Sequence, residues 1–137
     1  MKHKLVGAIT RLGAAALLSA TGITLSLAAE PPKDFSQARA NWEAHKDSAE
    51  YQKYADEFVQ FNNHFHLDEK GGCYQLSPGP VELMLVITHT KGDQFATIER
   101  VISDSDSAKA QCFKRTYKGI ATKVPPYLPF VFSMRMG

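Results

Sequence analysis

Between Val81 and Thr88 the chain runs Val-Glu-Leu-Met-Leu-Val-Ile-Thr, with few polar interruptions. Side chains alternate across a strand, so Val81, Leu83, Leu85 and Ile87 share one face and Glu82, Met84, Val86 and Thr88 the other. Both faces are largely apolar, which predicts a strand that is central or covered on both sides. His89-Thr90-Lys91-Gly92-Asp93 predicts a hairpin turn, and Phe95 to Ser103 a partner strand returning antiparallel. Pro125-Pro126-Tyr127-Leu128-Pro129 is stiff and extended, and Phe130 to Met136 alternates as a last strand.

The other periodic stretches have helical spacing. Asp34 reads as an N-cap with Gln37 completing a capping box. Phe35, Ala38, Trp42, His45 and Ala49 follow at intervals of three and four, the signature of one helical face. Tyr51, Tyr54, Ala55, Phe58, Phe61 and Phe65 continue it, either in the same helix or in a second one capped by Ser48. Asp68 to Gly72 is a turn, as is Ser77-Pro78-Gly79-Pro80. Ser105 or Asp106 begins a further helix that Gly119 stops after Tyr117. On it Ala108, Cys112, Ala110, Phe113 and Tyr117 make the buried side, while Lys109, Lys114, Arg115 and Lys118 point largely to solvent. The expected fold is α+β: a small antiparallel sheet of about three strands packed in two layers against two or three helices.

Residues 1–29 read as a secretory signal peptide. Lys2 and Lys4 precede an apolar run from Leu12 to Ala29, and Ala28 and Ala29 offer small residues for cleavage. The competing reading is a retained membrane anchor, which the run is just long enough to be. The full chain has 16 Lys and Arg against 14 Asp and Glu. Cleavage removes Lys2, Lys4 and Arg11, so the net charge passes from +2 to about −1. Nucleic-acid binding needs a basic surface to neutralise phosphates, and this balance does not favour it. The expected location is the periplasm or the exterior, with no membrane segment after cleavage.

An exported chain meets an oxidising compartment, so Cys73 and Cys112 are expected to pair. Two free thiols or two metal ligands are the alternatives. His64-x-His66, with Asp68, Glu69 and Cys73 nearby in sequence, is the most metal-like feature and a weak candidate for copper or zinc. His89 and Asp93 flank the hairpin turn, and a solvated turn explains them better than a catalytic pair. The alternating Ser103, Asp104, Ser105, Asp106 and Ser107 suit helix capping better than nucleophilic chemistry. No catalytic residues and no cofactor are expected.

From residue 73 onward the order of motifs resembles the TonB-like C-terminal domains, most of all the disulfide-bearing version of gliding-motility proteins. The residues that carry the resemblance are Cys73-Tyr74, Gly79-Pro80-Val81, Gly92, Ser103 to Ser107, Cys112-Phe113, Pro125-Pro126 and Pro129-Phe130. It spans about residues 58–137, which divides the remainder into a helical segment, 30–57, and an α+β domain, 58–137. Residues 34–57 lie outside the pattern, and the Tyr-Pro usual before the first strand is missing unless Tyr74 stands in for it. The resemblance implies a non-enzymatic periplasmic module that binds an envelope protein or peptide. Strand addition along Phe130 to Met136 is the expected mode, with Phe130, Phe132 and Met134 at the contact. A periplasmic metal-binding protein using His64 and His66 is the alternative.

Overall fold

The structure, a computed structural model, describes residues 29–62 and 72–137, with side chains left aside at Phe61 and Asn62. The proposed signal segment up to residue 28, the turn residues 68–71, Phe65, His64 and His66 lie outside the described residues.

Asp34 caps helix α1, Phe35–His45, by accepting a hydrogen bond from the Gln37 N–H at 2.8 Å. The Gln37 side chain reaches back to the Lys33 N–H at 2.9 Å, so two donors at the helix start are satisfied. Lys46 to Ser48 break the helical run, and α2 follows over Ala49–Asn62. The Ser48 hydroxyl accepts from the Tyr51 N–H at 3.2 Å. α2 runs unbroken through residues 57 and 58, and Tyr51, Tyr54 and Phe58 share one core with the strands that follow. The helical segment and the α+β part are therefore one packed unit.

The long apolar run is strand β1, Val81–Ile87. The region expected as its single partner strand is instead divided. Thr90–Lys91 (β2) pairs with Phe95–Thr97 (β3), while Arg100–Ser103 (β4) pairs with β1. The division falls at Ile98-Glu99. Ile98 exchanges backbone bonds with Gly119 and Ile120, and the Glu99 N–H turns to the Val86 carbonyl. Helix α3, Ala108–Tyr117, starts at Ser107, one residue beyond the expected caps, and Gly119 takes φ +86° just past its end. Ala121–Thr122 (β5) joins β3, and Phe130–Met136 (β6) runs antiparallel along all of β1.

Two antiparallel three-stranded sheets result, ordered β4-β1-β6 and β2-β3-β5. β1 is the centre of the larger one, as its two apolar faces require. Its odd-numbered side chains, with Val101, Phe130 and Phe132, meet α2 and α3. Its even-numbered Met84 and Val86, with Ile102 and Val131, meet Phe35, Ala38 and Trp42 of α1. The sheet is thus covered on both faces, where two layers were expected. α1 and α2 sit on opposite faces because the break at Lys46 to Ser48 carries the chain around the β6 edge.

Cys73 and Cys112 are bonded, with their Cα atoms 5.3 Å apart. The bridge ties the short 3-10 turn Cys73–Gln75 to the middle of α3. In the loop-entropy account a closure of this length restricts the unfolded chain by about 4 kcal/mol. Lys109 departs from expectation: it is buried rather than solvated. The Ser77 to Gly79 turn folds over the start of α3, where the Lys109 N–H donates to the Ser77 hydroxyl at 3.1 Å and its ammonium to the Gly79 carbonyl at 2.6 Å. A long stem with a polar tip can be covered in this way without leaving the tip unpaired.

Candidate functional site

The larger sheet ends in two edges, β6 and β4, and their surroundings differ. β6 is the edge on which partner binding was expected. Phe130 and Phe132 are in the core, at 0% and 7% exposure, and Met134 is half-buried against the same cluster. Phe130 stacks on Tyr51 at 5.4 Å and meets Tyr54 edge-on at 4.6 Å, and Phe132 lies 4.6 Å from Phe58. These two rings are therefore core side chains, not a surface a partner can touch.

The backbone of β6 is also engaged. The Tyr51 hydroxyl accepts from Trp42 Nε1 at 2.9 Å, and the Ser133 backbone beside it offsets part of the effect of burial on that hydroxyl. One residue from each of α1 and α2 thus meets across the strand, closing a clasp around it. Burial pushes the Tyr51 and Tyr54 hydroxyls above the ordinary tyrosine range. Tyr127, stacked on His45 at 4.6 Å, is pushed up to about 12, first by burial and then by the neighbouring Tyr51 and Glu50. Tyr54 extends the fastening to the small sheet, donating to the Thr122 hydroxyl at 3.1 Å and the Lys123 carbonyl at 2.8 Å.

β4 is different. β1 pairs along one side of it, and among the described residues no strand pairs along the other. The Asp104 N–H donates to the Glu82 carbonyl at 3.1 Å, which sets the alternation of the ladder. Arg100 and Ile102 turn their backbone groups to β1, so Val101 and Ser103 turn theirs outward. Between this edge and α3 lies an open groove of about 350 Å³, lined by Glu99, Val101, Ile102, Lys114, Arg115 and Lys118. Arg100 also borders it, its guanidinium anchored on the Pro32 carbonyl at 3.1 Å. Lys114 lies a loose 3.9 Å from the well-exposed Asp106. Arg115 and Lys118 are exposed and form no ion pair among the described residues.

The other candidate residues within the described part make local contacts. His89 pairs with Glu99, not Asp93, and Thr88 donates to the same carboxylate. Ser107 caps α3 through the Ala110 N–H at 3.1 Å, and Ser103 accepts from the Ser105 N–H at 3.2 Å. The Asp104 carboxylate accepts from the Glu82 N–H at 3.1 Å. The disulfide consumes the Cys73 thiolate that the metal reading had placed near His64 and His66. Among the described residues no three His, Cys, Asp or Glu side chains converge to hold a metal ion, and no helix is long and apolar enough to cross a membrane.

Reasoning from the sequence placed Lys114, Arg115 and Lys118 on a solvated helix face but missed the strand edge beside them. A signal was present: Arg100 to Ser103 is short and has a polar residue at each end, as edge strands often do. No family model, no curated protein and no solved structure matches this chain.

Proposed function

We propose that this protein is an exported, non-enzymatic binding or adaptor module of the bacterial envelope that recognises an extended segment of another protein by strand addition. The observation that carries the reading is the asymmetry of the sheet: β6 is clasped by Trp42 and Tyr51, and β4 leaves the backbone of Val101 and Ser103 turned outward. An extended peptide laid along β4 gains main-chain hydrogen bonds there, and its alternate side chains fall toward α3. The aromatic core and the disulfide hold that edge in place, so little order has to be created on binding. The leader at residues 1–29, with Lys2 and Lys4 ahead of the apolar run, and the cysteine pairing support an envelope location.

The test uses proline as a backbone probe. The Val101 N–H points away from β1, so Val101→Pro removes an outward donor and leaves the β1 ladder intact. Val101→Thr keeps the donor and the side-chain shape. Partners cross-linked in periplasmic extract are expected to persist with Val101→Thr and disappear with Val101→Pro, both proteins showing a cooperative melt. Equal recovery by the two variants overturns strand addition at β4.

A further inference from the structure

We infer that the segment taken up along β4 is acidic: an extended stretch of a partner protein carrying two or more carboxylates spaced to meet Lys114, Arg115 and Lys118. This deepens the strand-addition reading above and rests on it.

Charge complementarity at a single place points to such a segment. A peptide added to β4 has its backbone fixed by Val101 and Ser103, and every second side chain is directed at the wall made by α3. On that wall Lys114 and Lys118 lie one helical turn apart and Arg115 is adjacent. Among the described residues only Lys114 has an ion-pair partner, and that contact is long and exposed. Glu99, the one acid lining the groove, is already held by Thr88 and His89. The groove is therefore cationic, although the mature chain as a whole carries a slight negative charge. The negative end of the α3 dipole is nearby and opposes a carboxylate, but it amounts to about half an elementary charge against three full positive ones. Val101 and Ile102 add an apolar border, which favours carboxylates interleaved with small aliphatic or β-branched residues over a continuous acidic run.

A second open groove, about 360 Å³ between α2 and the segment after β5, is lined by Glu50, Glu57 and Lys53 together with Tyr54, Val124 and Pro126. Two acids against one lysine leave it net negative, so it does not suit an acidic segment.

The experiment is selection from a displayed library of random peptides on the full disulfide-bonded protein, followed by affinity measurements on the selected sequences. The selected pool is expected to be enriched in Asp and Glu relative to the input. Replacing Lys114, Arg115 and Lys118 together by Gln is expected to weaken the selected peptides by about tenfold or more, from three exposed charge contacts of up to about 1 kcal/mol each. Binding should also weaken as salt is raised. A selected pool with no acidic enrichment, or peptides indifferent to the triple Gln variant yet lost with Val101→Pro, overturns the acidic assignment and leaves strand addition standing. If no peptide is selected, or selected peptides bind Val101→Pro as well as wild type, the strand-addition reading itself fails. A concentration-dependent dimer in sedimentation, abolished by Val101→Pro, overturns the acidic assignment in favour of a second copy of this chain as the occupant.

Discussion

The two edges of the larger sheet, both paired with β1, end up in opposite states. β6 has seven residues and buries Phe130, Val131, Phe132 and Met136; β4 has four residues, and none of them is fully buried. β6 is gripped from both faces, because α1 and α2 pass on either side and meet through Trp42 and Tyr51. β4 has α3 on one face and α1 on the other, but among the described residues nothing joins these helices across it. The contrast shows that the more hydrophobic edge is not the more available one. A strand rich in large apolar side chains attracts helices to cover it, and the same helices bring polar tips that engage its backbone. The edge left open is the short, polar-ended one bordered by cations, the usual way a free edge is kept from pairing indiscriminately.

This contrast can be broken most strongly in the core of the clasped side. Phe130→Ala removes a ring buried among Tyr51, Tyr54 and Tyr127. It is expected to cost about 3–5 kcal/mol, with denaturant unfolding as the measurement. A loss below about 1 kcal/mol would show that β6 is not the anchored edge. On the open side, opening the Cys73–Cys112 bond by replacing both residues with Ser is expected to cost about 4 kcal/mol. It also frees the turn that braces α3, so peptide binding at β4 should weaken even in protein that remains folded.

Tyr51→Phe separates the clasp from the packing. The ring stays, but Trp42 Nε1 loses its acceptor and the Ser133 backbone loses the hydroxyl beside it. A cost of about 1–3 kcal/mol is expected, together with faster amide exchange at Ser133. Unchanged exchange there would show that Tyr51 does not guard the edge. A gentler test uses alkali. Tyr51, Tyr54 and Tyr127 all titrate above their unfolded values, Tyr127 at about 12. Each contributes stability that is fully present below the unfolded tyrosine pKa of about 10 and is lost as pH rises through the folded value. Ultraviolet titration followed beside circular dichroism should show loosening of the α2–β6 side from about pH 10 upward, and less of it in Tyr127→Phe. The smallest stability effect is expected from the triple Gln replacement at Lys114, Arg115 and Lys118, within about 0.5 kcal/mol, as for surface positions in general. The same change should have a large effect on binding.

Much of this was legible along the chain. The Asp34–Gln37 cap, the central strand, the α3 helix with its terminal glycine and the last strand follow from signals a few residues long, and the cysteine pairing from the expectation of an oxidising compartment. The split of residues 95–103 was not legible. Phe95 to Ser103 has the composition of one strand, and the change of sheet at Ile98-Glu99 is made by Gly119, Ile120 and Val86, which are distant in sequence. Nor could periodicity announce that Lys109 is buried, because its cover is the Ser77 to Gly79 turn. The aromatic rings of β6 were assigned to a surface for a related reason. Alternation tells which residues share a face, but not whether a helix lies over it.

The sequence by itself determined the kinds of element, their caps and stops, and the class of fold, because hydrophobic period, capping and turn chemistry act between near neighbours. Tertiary structure alone decided which faces α1 and α2 cover, which edge Trp42 and Tyr51 close, and that three lysine and arginine side chains border the edge left open. Those outcomes depend on how elements compete to bury one another's surfaces, and that competition is settled between residues dozens of positions apart.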